Sequence, residues 1–213
     1  MYLTELTLWD DIAARLMPRD AYGWHKVIWR FFPNQESRDF LYRVDESPSG
    51  LRIYILSAKA PVPPVALPDR AFRVREIPES FLSHKRYRFQ MRVNPTKRID
   101  TDARTGQKKE KGMRVPLTQL ADLTAWLARK GEQCGFSIPC LDRWPIEDCP
   151  LSIVQEGRRS FRKPRLASAH HASVQFSGIL DVTDATLFRQ AFAHGIGSAK
   201  SFGFGLLMLQ PIA

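Results

Sequence analysis

The order in which strand-like and helix-like runs follow one another constrains this chain more than any single motif. Residues 2–9 carry the branched and aromatic side chains of a first strand, and residues 20–32 then show helical spacing that Pro33 stops. Two further strand runs, residues 39–45 and 51–57, are joined by Ser47-Pro48-Ser49-Gly50, a hairpin turn signal. The proline-rich piece 61–68 runs extended, residues 78–83 suit a short helix, and residues 86–93 alternate as a strand. The first half therefore reads β-α-β-β-α-β, with a weak second helix.

The second half repeats that order. Residues 96–112 are almost without apolar side chains and carry Lys97, Arg98, Arg104, Lys108, Lys109 and Lys111, which reads as an exposed loop at a domain boundary. A short strand at 114–117 leads into a helix at 118–131 whose apolar face includes Leu120, Leu123 and Leu127. Strands follow at 151–155 and 173–182, then a helix at 183–194 with Asp184 at its N-terminal end, and a last strand at 206–209. The expected class is α+β: two tandem ferredoxin-like (β-α-β-β-α-β, RRM-like) domains. The boundaries are residues 1–96 for the first domain, 97–113 for a basic linker, and 114–213 for the second domain.

A glycine-rich stretch, Gly195-Ile196-Gly197-Ser198-Ala199-Lys200-Ser201-Phe202-Gly203-Phe204-Gly205, precedes the last strand. Paired glycines around a lysine suggest backbone amides turned toward phosphate. Neither familiar nucleotide fingerprint fits, however: the third glycine of G-x-G-x-x-G is missing after Gly197, and Ala199 stands where a Walker loop needs glycine. Only eight residues follow Gly205, too few for a mononucleotide domain behind the loop. Gly195, Gly197, Gly203 and Gly205 are therefore read as a tight helix-to-strand connection that lets Lys200 approach RNA or the facing domain.

Charge narrows the partner. With 32 Lys and Arg against 22 Asp and Glu, the formal net charge is +10, which attracts a polyanion. No apolar run approaches the roughly 20 residues that span a bilayer, so no membrane partner and a cytoplasmic location are expected. Cys134, Cys140 and Cys149 are odd in number with no C-x-x-C pair, and are read as reduced, mostly buried thiols.

Three clusters could carry chemistry. On the first helix Trp24, Val27, Ile28 and Phe31 form the apolar stripe, while Tyr22, His25 and Trp29 share a flank that Lys26 and Arg30 continue with positive charge. Histidine exchanges a proton near neutral pH, and the cations suit a phosphate; a boundary histidine on an amphipathic helix is the plainer alternative. Residues 157–165 hold Arg158, Arg159, Arg162, Lys163 and Arg165 with no acid, a loop suited to phosphates or guanine edges. Arg86, Arg88, Gln90 and Arg92 fall on one face of a strand, as an exposed phosphate-binding sheet or groove requires. His84, His170 and His171 read as surface or capping residues. No paired carboxylates at metal-site spacing stand out, so neither metal nor cofactor is expected. RNA carries its own nucleophile, the 2′-hydroxyl, and a histidine with a phenol or amine nearby can assist its attack on the adjacent phosphate.

The combination resembles the CasE endoribonucleases of type I-E CRISPR systems, in the RAMP superfamily. The motif GIGSAKSFGFG matches the glycine loop of that superfamily. MYL, AYGWHKVIWRFFP, YRFQMRVNPTK, MRVPL and AWLARK resemble its other landmarks in the same order. The resemblance implies two ferredoxin-like domains and cleavage of CRISPR precursor RNA at the base of the repeat hairpin without metal. The implied product is a 2′,3′-cyclic phosphate, and the mature guide RNA stays bound as the protein joins the other Cascade subunits. It places the catalytic histidine at His25, with Tyr22 and Lys26 as its neighbours. Arg158, Arg159, Arg162, Lys163, Arg88, Arg92, Asn94, Lys97, Arg114 and Lys200 are the implied RNA contacts, and the free protein is expected to be monomeric. A non-catalytic RAMP-type subunit that only binds guide RNA is the alternative.

Overall fold

The structure, a computed structural model, describes residues 1–9, 18, 21–48, 50–64, 67–101, 108–143, 145, 148–161 and 169–212; of residues 21, 22, 101, 108–111, 113, 158–161, 169 and 170 only the backbone is described.

Strand β1 (Tyr2–Leu8) leads to helix α1 (Ala21–Trp29), then to the hairpin β2 (Phe40–Ser47) and β3 (Gly50–Ser57), and to β4 (Phe72–Glu76). These strands form an antiparallel sheet in the order β2-β3-β1-β4. Helix α1 closes one face of that sheet. Ile28 and the following Phe31 are fully buried against Leu6, Leu8, Ile53 and Ile55, and Trp24 and Val27 pack at the margin, as the apolar stripe requires. Strand β4 has no counterpart in the sequence reading. Four of its five residues are exposed, so Phe-Arg-Val-Arg-Glu carries little hydrophobic pattern.

The second sheet is built from β5 (Arg86–Val93), β8 (Phe136–Ser137), β9 (Ser152–Phe161), β10 (Ala169–Val182) and β11 (Leu207–Pro211). Its pairing is β11-β5-β10, with β9 and β8 both on the far side of β10. Helices α2 (Leu120–Cys134) and α3 (Ala185–His194) bury Leu123, Trp126, Leu127, Phe188 and Phe192 in its core. The Asp184 carboxylate caps α3 by accepting from the amides of Thr186 and Leu187. The first sheet runs second-third-first-fourth, and so does the second, as β9-β10-β5-β11, once the two-residue β8 is left out; this is the ferredoxin-like order.

Three expectations change. Residues 86–93 do not complete the first unit: β5 pairs with β10 and β11 and is the first strand of the second sheet. Its alternation is the same in either sheet, and only the long-range pairing decides. The basic stretch is not a simple linker either, because β6 (Thr96–Thr101) and β7 (Lys108–Pro116) form an antiparallel hairpin inserted between β5 and α2. Cys140 and Cys149, expected as thiols, are joined as a disulfide across the turn segment between β8 and β9, where their Cα atoms lie 5.2 Å apart. Cys134 stays free. Among the described residues no helix is long and apolar enough to cross a membrane.

Candidate functional site

His25 sits on α1 with its ring 5.6 Å from Trp29 and 5.9 Å from Phe40, which itself stacks on Phe32 at 5.0 Å. The imidazole is half-buried. That burial, and next the positive charge of Arg38, hold its pKa below the ordinary 6.5. A neutral ring that can accept a proton follows at neutral pH. Lys26 is exposed beside it, whereas the side chain of Tyr22 lies outside the described residues.

The glycine stretch meets this helix. Helix α3 ends at Gly195 with φ 77°, the chain bends back so that the Ile196 amide donates to the Gly205 carbonyl at 2.9 Å, and the Gly205 amide donates to the Arg92 carbonyl at 2.8 Å. A side chain at Gly205 would meet the Ile196 carbonyl oxygen at 2.7 Å, so the two arms touch only because no Cβ intervenes. Between them Lys200–Phe202 make a single 3-10 turn that packs against α1. Two side chains of the first unit hold that turn: Arg38 Nη1 donates to Ser201 Oγ and the Tyr42 hydroxyl donates to the Ser201 carbonyl, each at 2.8 Å. The loop is thus a tight helix-to-strand connection, and its turn lies against the histidine helix of the facing unit.

Beside the loop opens a cavity of about 560 Å³ lined by Arg98 of β6, Arg114 of β7, Arg129 and Lys130 of α2, and Lys200. Asn94, Trp126, Gln133 and Ser198 contribute to its polar and apolar wall, and among the described residues no carboxylate lines it. Arg98 is partly offset by Asp100 at 2.7 Å. Burial, followed by the charges of Arg38 and Lys130, pushes the Lys200 ammonium below its ordinary value, despite the opposing influence of Cys134. Such a concentration of cations, with Asp100 as the one counter-charge among the described residues that pairs with a lining cation, is an anion-binding surface. The cavity brings Arg114 and Lys200, two of the RNA contacts that the resemblance implies, together with Arg98, Arg129 and Lys130. The signal for the last two was present in AWLARK, where two cations adjoin the apolar stripe of a helix.

Two of the expected RNA contacts are turned inward. Arg92 is 7% exposed: its guanidinium donates to Glu156 at 2.5 and 2.8 Å, and to Asp45 and the Val44 carbonyl at 2.8 Å. The outer face of β5 is open at Arg86 and Arg88 but is covered by the first unit at Arg92, and a strand-face argument cannot see that change. Asn94 is also buried; its side-chain amide donates to Nδ1 of His171 at 3.0 Å, and its main-chain carbonyl accepts from Ser198 Oγ at 3.3 Å. His171 is no surface residue, since its ring packs on Phe202 at 4.8 Å and on Phe204 at 5.9 Å. Arg88 lines a separate cavity with Gln90, Ser177, Ile179 and Met208. Lys97 is exposed and lies 3.8 Å from Asp122. The backbone of Arg158 and Arg159 pairs with Ala172 and His171, but their side chains, and all of Arg162 and Lys163, lie outside the described residues.

Two ferredoxin-like sheets with a histidine helix, a glycine loop and a strongly cationic cavity define a tandem ferredoxin-like protein built to handle nucleic acid. The chain belongs to the family described as CRISPR associated protein, whose model matches residues 1–211. It is 32% identical over 218 residues to the CRISPR system Cascade subunit CasE of Escherichia coli, with all of both chains covered. It is 27% identical over 222 residues to the CRISPR-associated endoribonuclease Cse3 of Thermus thermophilus, covering 99% of this chain and 100% of that one. Among solved structures, CRISPR endoribonuclease Cse3 bound to a 19-nucleotide RNA superposes with a TM-score of 0.78 at 25% identity, covering 99% of this chain and 100% of that one.

Proposed function

We propose that this protein is a metal-independent endoribonuclease that cuts CRISPR precursor RNA at the base of the repeat hairpin and remains on the mature guide RNA as a Cascade subunit. The observation that carries this reading is the packing of the helix that bears the half-buried, neutral His25 against the glycine-loop turn, next to a cavity lined by cations and, among the described residues, by no carboxylate. The relatives named CasE and Cse3 supply the substrate class.

The chemistry follows from RNA itself. His25 takes the proton of the 2′-hydroxyl, the freed oxygen attacks the adjacent phosphorus in line, and the bond from phosphorus to the 5′-oxygen breaks. The leaving oxygen takes up a proton, from the imidazolium formed in the first step or from the Tyr22 phenol. The products are a 2′,3′-cyclic phosphate and a free 5′-hydroxyl. Cations that flank the phosphate, Lys26 on the helix and Lys200 on the loop, stabilise the charge that builds on its oxygens.

His25→Ala is expected to reduce single-turnover cleavage of repeat RNA in EDTA by roughly 10²- to 10⁴-fold, the range of a lost general base, while leaving repeat binding within a few fold. Repeat RNA with a 2′-deoxy nucleotide at the scissile position is expected to bind and stay intact. A wild-type protein that binds repeat RNA and cuts neither version would be a guide-RNA-binding subunit instead.

A further inference from the structure

A second cationic crevice lies on the other side of Lys200. It has a volume of about 300 Å³ and is walled by Phe40 and Leu41 at the start of β2, Leu56 to the side, and Ala193 and His194 at the end of α3. Arg38, from the first unit, and Lys200, from the second, both line it. Each is half-buried, and neither forms an ion pair among the described residues. The carboxylate that lines this crevice, Asp39, is exposed and already accepts the Gln35 amide at 2.8 Å on both oxygens. Two like charges would move apart if they could. Here the bond from Arg38 Nη1 to Ser201 Oγ, with the Tyr42 bond to the Ser201 carbonyl, fixes their spacing. A guanidinium has five donors, and the bond to Ser201 Oγ uses one of them.

We propose that Arg38 and Lys200 form an anion subsite that holds a backbone phosphate of the RNA strand running past His25. The assignment rests on the RNA reading above. Three placements carry it. Lys200 lines both this crevice and the larger basic cavity, so the two make one cationic track across the loop. Phe40 lines the crevice and touches the His25 ring, which puts the subsite next to the chemistry. The volume is at the low end of small-ligand sites, enough for one phosphate and its ribose and too small for a paired stem.

The test is the salt dependence of repeat-RNA binding by the full chain. Each lost phosphate contact lowers the slope of log affinity against log salt by about 0.7–0.9. Arg38→Gln and Lys200→Gln are each expected to weaken binding about 3- to 10-fold at moderate salt and to lower the slope by that amount. Arg38→Lys keeps the charge and should keep the slope, and so should Ser201→Ala, which removes only the anchor. Equal losses in Arg38→Lys and Arg38→Gln, or a Ser201→Ala loss as large as that of Arg38→Gln, would show that Arg38 merely supports the turn and would overturn the subsite. Wild-type affinity and slope in Arg38→Gln would overturn it too. A second arm follows the His194 ring by NMR while pyrophosphate is added. The resonance should move in the wild type and stay still in Arg38→Gln, and pyrophosphate should compete with RNA. Pyrophosphate that binds without competing, with an unchanged RNA slope in Arg38→Gln, would assign the crevice to a free anion and overturn the strand assignment. Binding is read apart from cleavage, so a chain that fails to cut RNA still tests the subsite.

Discussion

At His25 burial and charge act in the same direction. Both disfavour the imidazolium, first through lost solvation and then through Arg38; Lys26 on the same helix and Lys200 on the facing turn add no counter-charge, and Glu156 of the strand packed on the helix is committed to Arg92 and Ser173. The folded-state pKa is therefore lower than the unfolded value, ordinarily 6.5. Between those two values the unfolded chain binds more protons than the native one. The contribution of His25 to stability is thus complete above pH 6.5 and is lost as pH falls through that window. The same shift keeps the base unprotonated to lower pH, so single-turnover cleavage should hold its plateau below pH 6.5 before the acid limb begins. A limb centred above 6.5 would show that another group controls it. Urea unfolding of His25→Gln against wild type between pH 5 and 7 should show a flatter acid side in the variant.

The glycine loop shows how an element can be legible in sequence while its neighbours are not. Its paired glycines and the failure of both nucleotide fingerprints already imply a tight connection, and φ values of 77–87° at Gly195, Gly197, Gly203 and Gly205 agree. That Ser201 is seized by Arg38 and Tyr42, 163 and 159 residues away, is a tertiary fact with no local trace. Gly205→Ala puts a Cβ 2.7 Å from the Ile196 carbonyl at a φ of 87°, and should cost about 1–3 kcal/mol in urea unfolding. Because the same loop carries the turn that packs on α1, cleavage should fall more than RNA binding does. The helices with clear apolar stripes are equally readable, whereas β4, with four exposed residues of five, and the hairpin β6–β7, with its polar composition, are hidden for want of pattern. Strand β5 is visible as a strand, but its sheet is chosen by Val174–Asp181 and Leu207–Pro211, far along the chain.

Behind the net charge of +10, two groups of cations that the sequence cannot tell apart stand in opposite settings among the described residues. Arg98, Arg114, Arg129, Lys130 and Lys200 gather round an open cavity. Arg43 and Arg92 are buried instead, sharing Asp45, and with Gln175 and Glu156 they pin the first sheet to the second. At Arg92 burial opposes the charge, but Glu156 and Asp45 outweigh it, so the guanidinium is held above its ordinary value. Removing one member of such a network leaves the others as uncompensated buried charges. Arg92→Met should therefore cost about 3–5 kcal/mol, read as a lower urea midpoint with both sheets affected. An RNA contact at the same residue would behave differently: stability would change little, and the salt slope of repeat binding would fall by about 0.7–0.9. The interior role requires the opposite result, a large loss of stability with the salt slope of the folded protein unchanged. The basic strand face drawn from Arg86, Arg88, Gln90 and Arg92 then ends where the two units meet, and the positive charge beyond that line holds the molecule together instead of its ligand.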